Sequence, residues 1–200
     1  MILPIVVYGD PVLRKMGVDI DKNYEGLDQF IKDMFETMYQ ANGVGLAAPQ
    51  VGKAIRLFIV DATPFTEVEE DEEPEYSKEE MAEMKNFKKV FINAKILEEN
   101  GEEWKFNEGC LSIPKIREDV MRQPKIKIEY YDENFKKHID EYEGVIARVI
   151  QHEYDHIQGV LFTDKISPFK RKLISGKLTN ISKGVFKADY KTKVYSKPKK

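Results

Sequence analysis

The alternation of apolar and polar positions predicts both helices and strands. Between residues 27 and 39 apolar side chains recur at i, i+3, i+4 and i+7, which predicts an amphipathic helix. Apolar runs at residues 56–60 and 90–93 predict strands. Residues 126–131 alternate apolar and charged side chains, and residues 138–142 return after a short polar turn. The last two segments therefore predict a β-hairpin.

A further predicted helix carries an H-E-x-x-H motif formed by His152, Glu153 and His156. Residues four apart on a helix share one face, so both histidines can reach the same metal ion. Glu153 can hold or accept a proton from water at that site. The histidines continue the apolar face that Val145 and Val149 begin. This placement argues against two surface histidines on an acidic helix.

Cys110 is the only cysteine of the chain. A lone cysteine is usually an inert buried side chain. Together with the two histidines, however, its thiolate would make three protein ligands and leave a fourth position open. That arrangement is typical of a catalytic metal site rather than a structural one. A single cysteine also excludes an internal disulfide and fits a reducing compartment.

Length and element order indicate an α+β protein with one compact domain. Two hundred residues suit a single sizeable core. Antiparallel strands are expected around a central metal-binding helix at residues 145–158, and Ser167 is expected to cap a last helix. No run of about 18 apolar residues occurs, so no membrane span is expected. The N-terminus looks like an opening strand rather than a signal peptide.

The net charge of −3 conceals two charged segments of opposite sign. Residues 66–85 are rich in Glu and Asp and predict a disordered or loosely helical surface insertion. Residues 183–200 hold seven lysines against Asp189. This tail is either a solvated end or a nucleic-acid contact, and both interpretations stay open. We divide the chain into a catalytic domain, residues 1–182, and this tail, whose removal is expected to leave catalysis intact.

Three segments, in this order along the chain, resemble the three signature motifs of the peptide deformylases. They are residues 43–50 (GVGLAAPQ), 108–112 (EGCLS) and 151–156 (QHEYDH). Residues 8–14 also look like the family's N-terminus, and the likeness extends to about residue 168. It implies a bacterial cytoplasmic hydrolase that removes the N-formyl group from the initiator methionine of nascent polypeptides and releases formate. It also implies one divalent metal per chain, Fe²⁺ in the cell, with Zn²⁺, Ni²⁺ or Co²⁺ able to replace it in purified protein.

The resemblance also implies roles for individual residues. The metal ligands would be Cys110, His152 and His156, with Glu153 as general acid and base. The Gln50 amide and the Leu111 N–H would stabilise the oxyanion. The residues implied to contact substrate are Val44, Gly45, Gly109, Arg117, Val145, Arg148 and Val149. Arg148 stands where some family members have an apolar residue, so the polarity of the methionine pocket's rim is left open.

Other functions remain to be weighed against this one. A zinc-dependent endopeptidase would normally take a third His or Glu after the motif, but no histidine follows His156, although Asp164 and Asp189 do. A cysteine hydrolase would pair Cys110 with a histidine. A metal-stabilised binding domain would need a fourth ligand. His138 lies on a predicted edge strand among charged residues, and we expect a surface role for it.

Overall fold

The computed structural model describes residues 1–67 and 76–196 of the chain. The α-helices of this part are α1 (Leu27–Gln40), α2 (Lys78–Lys85), α3 (Gly144–Ile157) and α4 (Pro168–Ser182). Its strands are β1 (Ile5–Val6), β2 (Gly45–Ala47), β3 (Leu57–Asp61), β4 (Lys88–Asn100), β5 (Trp104–Cys110), β6 (Ile113–Arg122), β7 (Lys125–Tyr131), β8 (Lys137–Glu143) and β9 (Thr192–Lys193). The predicted α+β class is confirmed.

An antiparallel sheet in the order β2-β3-β4-β7-β8 forms the centre of the fold. Side chains alternate between its two faces, as in any strand. Along β3, Leu57 and Ile59 pack with α1, whereas Phe58 and Val60 pack with α3. The sheet therefore lies between the two amphipathic helices, and the helix that carries the H-E-x-x-H motif is buried against one face.

Strands β5 and β6 form a separate antiparallel hairpin. Its pairing shifts between Gly109 and Cys110, next to the turn that closes the hairpin. Apolar residues of β6, α4 and β1 form a cluster under this hairpin, among them Ile113, Val120 and Leu178. This packing places the end of β5, and with it Cys110, beside α3.

Most of the predicted elements are present. The helix at residues 27–39 corresponds to α1, the hairpin to β7 and β8, and the metal helix to α3, which Gly159 follows with φ of 74°. Ser167 caps α4, because its hydroxyl accepts a hydrogen bond from the Lys170 N–H at 3.3 Å. The pattern did not predict the β5–β6 hairpin or the full length of β4.

The acidic segment differs from its prediction where the structure describes it. Residues 68–75 lie outside the described part. Residues 78–85 are the regular helix α2, which begins with a capping box in which Ser77 and Glu80 bond each other's backbone N–H. Met84 is buried, so this helix is attached to the core rather than being a loose surface insertion.

The tail also differs from its prediction, because its described part packs on the domain. Strand β9 pairs in parallel with β1, and the Ile5 N–H donates to the Lys191 carbonyl at 2.9 Å. Phe186 and Val194 are half-buried against the cluster under the hairpin. A boundary after Ser182 therefore does not separate two independent units. Within residues 1–67 and 76–196, the helices are too short or too polar to span a membrane.

Candidate metal centre

Cys110, His152 and His156 converge on one point in the interior. Helix α3 presents both histidines one turn apart, and Cys110 reaches them from the end of β5. One ligand atom of each residue lies within 4.8 Å of the other two. Cys110 Sγ is 3.2 Å from Nε2 of His156. A thiolate with two imidazoles suits divalent first-row metals, and both histidines are buried. The predicted ligand set therefore fits a metal.

Glu108 orients one of these ligands. Its Oε2 lies 2.9 Å from Nδ1 of His152, which directs the other ring nitrogen towards Cys110. Burial acts to raise the pKa of Glu108, yet hydrogen bonds from His152 and Arg122 hold it well below the usual range. Glu108 is therefore a carboxylate. The negative groups around His152 outweigh the effect of burial and raise its pKa, and the same surroundings favour a bound cation.

A buried network of charges holds Glu108 in place. Arg122 donates to both of its carboxylate oxygens, at 2.7 and 3.0 Å, and to Asp155 at 2.7 Å. Arg148 donates to Glu108 Oε1 at 3.1 Å. Two guanidinium groups therefore face two carboxylates. The positive and negative charges of this buried network balance each other. We did not predict Glu108 as a site residue, although its position two residues before Cys110 on a strand was a usable signal.

Glu153 is buried at the metal centre, and its surroundings favour proton transfer. Its Oε2 has no hydrogen-bond partner within the described residues, so one oxygen is available to water or substrate. Burial raises the pKa of Glu153 to about 7, although the charge of His152 opposes the shift. A carboxyl group with a pKa near neutrality can both take and return a proton. The role of Glu153 as general acid and base stays a prediction, with which this property is compatible.

The orientation of the Gln50 amide is determined by the backbone. Gln50 follows β2 in a 3-10 turn, Ala48–Val51, and its Oε1 accepts from the Ala47 N–H at 2.8 Å. The NH2 group therefore points the other way, 3.5 Å from Cys110 Sγ and 3.4 Å from Ser112 Oγ. Gln50 is buried, and it places a donor next to the metal ligands. A donor fixed in this way could bind a negatively charged oxygen at the site.

Glycines in two of the motifs let the backbone approach these side chains. A Cβ on Gly45 would lie 2.5 Å from Glu153 Oε1, and one on Gly109 would lie 2.8 Å from Arg117 Nη1. A Cβ on Gly43 would lie 2.9 Å from the Leu111 side chain. A side chain at any of these positions would force the neighbouring side chain to move. Residues 43–50 are thus more than a connecting loop, since they form one wall of the site.

A cleft of about 440 Å³ opens onto the metal centre. The predicted residues in its lining are Val44, Gly45, Gln50, Gly109, Cys110, Leu111, Arg117, Arg148, Val149, His152 and Glu153. Val145 is not among the residues that line this cleft and lies beside a smaller hollow next to α2, so its place in the methionine pocket stays a prediction. One turn of α3 separates it from Val149, which lines the cleft. A larger groove of about 630 Å³ beside β7 and β8 contains none of these residues.

The sequence left open whether Arg148 makes the rim of the methionine pocket polar, and its contacts bear on this point. Its guanidinium is buried, donates to the Trp104 carbonyl at 2.7 Å and lies 4.7 Å from the Trp104 ring centre. The charge is thus engaged by Glu108 and the Trp104 carbonyl, and Arg148 is also among the residues that line the cleft. Phe65, Phe106 and Tyr190 also line the cleft, and we did not predict them. Phe106 shares a strand face with Glu108, but no local pattern marked the other two.

The remaining polar candidates lie away from the metal centre. His138 is half-buried, with Nε2 2.8 Å from Asp132 Oδ2 and its ring stacked on Tyr130. Asp164, the alternative third ligand of a zinc endopeptidase, is bonded instead to Arg14 and Arg171. Within the described part of the chain, the group of side chains able to hold a metal consists of Cys110, His152 and His156.

The fold and the site define a metal-dependent hydrolase, and comparison with known proteins identifies its family. The polypeptide deformylase family model matches residues 2–172. The chain is 63% identical to a peptide deformylase of Flavobacterium psychrophilum, over 98% of this chain and 99% of that protein. It is also similar to the crystal structure of peptide deformylase from Thermotoga maritima. The TM-score is 0.70 and the identity 40%, with 84% of this chain and 99% of that chain covered.

The structure of the peptide deformylase from Thermus thermophilus gives a TM-score of 0.76 and 35% identity, with 92% of this chain and 99% of that chain covered. The chain belongs to the polypeptide deformylase family. It is a hydrolase that removes the N-formyl group from nascent polypeptides.

Proposed function

We propose that Cys110, His152 and His156 hold one catalytic divalent metal, and that Glu153, Gln50 and Leu111 carry out deformylation beside it. The observation that supports this assignment best is the convergence of three ligand atoms within 4.8 Å of one another, next to a buried carboxylate. When bound, the metal supplies Lewis acidity and lowers the pKa of water at the site. All other steps are assigned to side chains and backbone groups of this chain.

Glu153 is the general base and then the general acid. Its unpartnered Oε2 takes a proton from the attacking water, whose oxygen forms a bond with the formyl carbon. The bond between that carbon and the peptide nitrogen then breaks. Glu153 returns the proton to the departing amine, which yields formate and a free N-terminus. A carboxyl group with a pKa of about 7 is suited to both transfers.

Gln50 and the backbone N–H of Leu111 bind the negative charge that develops on the formyl oxygen. The Gln50 NH2 group is already directed at the site by the Ala47 N–H. Donors that need no rearrangement act at full strength as the charge forms, and each contributes roughly 3 kcal/mol. Leu111 follows Cys110 in the hairpin turn and lines the same cleft.

The methionine side chain and the first peptide units lie along the cleft walls. Val44, Val149 and the stem of Arg148 supply apolar surface for the side chain. Gly45 and Gly109 line the cleft and offer backbone groups to the substrate strand. The exposed Arg117 is held to Asn107 at 2.8 Å and faces the peptide further out. Formyl carries only hydrogen on its carbonyl carbon, so the buried centre accepts it and rejects larger acyl groups.

We propose Fe²⁺ as the metal in the cell. A mixed thiolate and imidazole set accepts several first-row ions, so affinity alone does not select one. Ferrous iron should support the highest turnover, and air should inactivate the iron form faster than the nickel or zinc forms, by oxidation of the metal or the thiolate. Equal half-lives in air for iron and zinc forms would contradict iron as the active metal.

Formate release from a formyl-Met peptide, with bound metal quantified, tests the assignment. An acetyl-Met peptide should react far more slowly. Glu153→Gln should retain its metal and lose at least about a hundredfold in kcat. Cys110→Ser should lose most of its metal together with its activity. A Cys110→Ser protein that retains all its metal but is inactive would instead make Cys110 a nucleophile, as in a cysteine hydrolase.

We also propose that the protein works in the bacterial cytoplasm, where its tail contacts the ribosome. The ribosome surface is polyanionic RNA, and Lys187, Lys191 and Lys193 are exposed. Lys187→Gln with Lys191→Gln should weaken co-sedimentation with ribosomes at low salt and leave peptide turnover unchanged. The matched control replaces the exposed Lys22 and Lys32. Co-sedimentation that is equal in both double variants would contradict a ribosome contact through the tail.

A further inference from the structure

The turn between β5 and β6 carries two groups of the reaction, and its backbone is held from outside the hairpin. Cys110 pairs with Ile113 across this turn, so Leu111 and Ser112 are its central residues. The Tyr8 N–H donates to the Ser112 carbonyl at 2.8 Å. The Tyr190 hydroxyl donates to the Leu111 carbonyl at 2.7 Å. Both central carbonyls of the turn therefore accept a hydrogen bond from a distant part of the chain.

The segment that contains Tyr190 is attached to the domain on both sides of that residue. Before it, Phe186 packs against the apolar cluster beneath the hairpin, and after it Val194 packs there too. Between Tyr190 and Val194, β9 bonds to β1. Tyr190 itself is half-buried beside Leu111 and contributes to the wall of the active-site cleft. Its hydroxyl is thus directed at the turn by a segment that crosses close to the metal centre.

We propose that Tyr190 is a positioning residue for deformylation, which acts through the backbone of Leu111 and makes the C-terminal segment part of the active site. This inference rests on the proposed role of the Leu111 N–H as an oxyanion donor. The central peptide unit of a tight turn can rotate at little cost unless its carbonyl is bonded. The Leu111 carbonyl belongs to the peptide unit between Leu111 and Ser112, whereas the Leu111 N–H belongs to the preceding unit, and the two units meet at the Leu111 Cα. A hydrogen bond from Tyr190 that holds the first unit therefore restricts rotation about Leu111 and keeps its N–H aimed into the site before charge develops.

The ring and the hydroxyl of Tyr190 have separable effects. The ring packs against the apolar cluster between α1 and the sheet and gives stability, whereas the hydroxyl makes the bond to the turn. Tyr190→Phe retains the ring and removes the bond. Because the bond is expected to matter most when charge forms on the formyl oxygen, its loss should lower kcat and leave KM nearly unchanged. A role limited to structure would instead lower thermal stability and leave kcat unaltered.

The experiment compares Tyr190→Phe with Tyr195→Phe, an exposed tyrosine of the same segment, in formate release from a formyl-Met peptide. Tyr190→Phe should lose about threefold to tenfold in kcat, the equivalent of one neutral hydrogen bond. Its KM and metal content should match those of the unmodified protein, and Tyr195→Phe should behave normally. In a Gln50→Ala background, the fold loss in kcat caused by Tyr190→Phe should differ from the loss it causes alone. The reason is that Gln50 and the Leu111 N–H, which Tyr190 positions, bind the same formyl oxygen.

An unaltered kcat in Tyr190→Phe, or a loss that appears only in KM or in metal content, would overturn the proposal. A loss of equal size in Tyr195→Phe would overturn it as well. Absence of formate release by the unmodified, metal-loaded protein would refute the proposed function itself, and the two failures are thus distinguishable.

Discussion

Nδ1 of His152 lies 2.9 Å from Oε2 of Glu108, and this pair links the metal centre to the interior of the protein. Glu108 is also bound by Arg122 and Arg148, so the orientation of one metal ligand depends on a network that extends to Asp155. The network is buried, and its charges are therefore poorly screened by solvent. Removal of the network should therefore affect metal binding more directly than substrate binding.

Glu108→Gln should weaken metal binding by about tenfold to a hundredfold, because the amide cannot hold His152 with a negative charge. The free energy of unfolding should also fall, since two buried guanidinium groups lose a partner. Competition with a chelator measures the first effect. Glu103→Gln, at an exposed position just before β5, is the control. Metal affinity equal in the two variants would refute the positioning role of Glu108.

Gly45→Ala should reduce kcat by about tenfold or more while metal content stays normal. Its Cβ would lie 2.5 Å from Glu153 Oε1, so the carboxyl group must move, and small misplacements of reacting groups are costly. Gly176→Ala is the matched control, because no atom lies within 4 Å of its Cβ in α4. That variant should be more stable by roughly 0.5–1 kcal/mol. Normal turnover in Gly45→Ala would show that Glu153 has more freedom than the packing indicates.

Gln50→Ala should lower kcat by roughly a hundredfold to a thousandfold and change KM little, as expected for a lost oxyanion donor. Some stability should also be lost, because the Ala47 N–H would be left without its acceptor. Steady-state kinetics with a formyl-Met peptide separate the two parameters. The exposed Gln40→Ala serves as control. A rise in KM with unchanged kcat would make Gln50 a substrate-binding residue instead.

Asp164→Asn should destabilise the protein at neutral pH and much less in acid. Burial acts to raise the pKa of Asp164, but hydrogen bonds from Arg14 and the Leu161 N–H outweigh it and lower the pKa below its ordinary value of 3.8. A carboxylate with a lowered pKa in the folded state stabilises the protein above the unfolded-state value. That contribution is lost as the pH falls through the folded-state value.

The expected difference in unfolding free energy is about 1 kcal/mol at pH 7, and it should shrink below about pH 4. Denaturant titrations at several pH values measure it. Asp19→Asn is the control, because the Asp19 side chain is 72% exposed in its pair with Arg56 and should contribute little. A difference for Asp164→Asn that stays constant between neutral pH and about pH 3 would exclude a role for its charge.

Local patterns in the sequence were sufficient for the elements whose physics is local. The spacing of apolar residues predicted α1, and the alternation of residues 126–142 predicted the β7–β8 hairpin. The i, i+4 spacing of His152 and His156 is a property of any helix, so their common direction could be predicted from the motif alone. The third ligand could be proposed because the chain contains a single cysteine.

Tertiary packing decided what no local pattern records. Val145 and Val149 lie on the same face of α3, but only the packed structure shows that Val149 lines the cleft and that Val145 lies beside α2. Arg148 turns its charge inward because Glu108, 40 residues away, is there to receive it. The bond from Tyr190 to Leu111 joins residues 79 positions apart. Such contacts depend on how whole elements dock, since hydrophobic burial is not directional and leaves partners unspecified until the core is assembled.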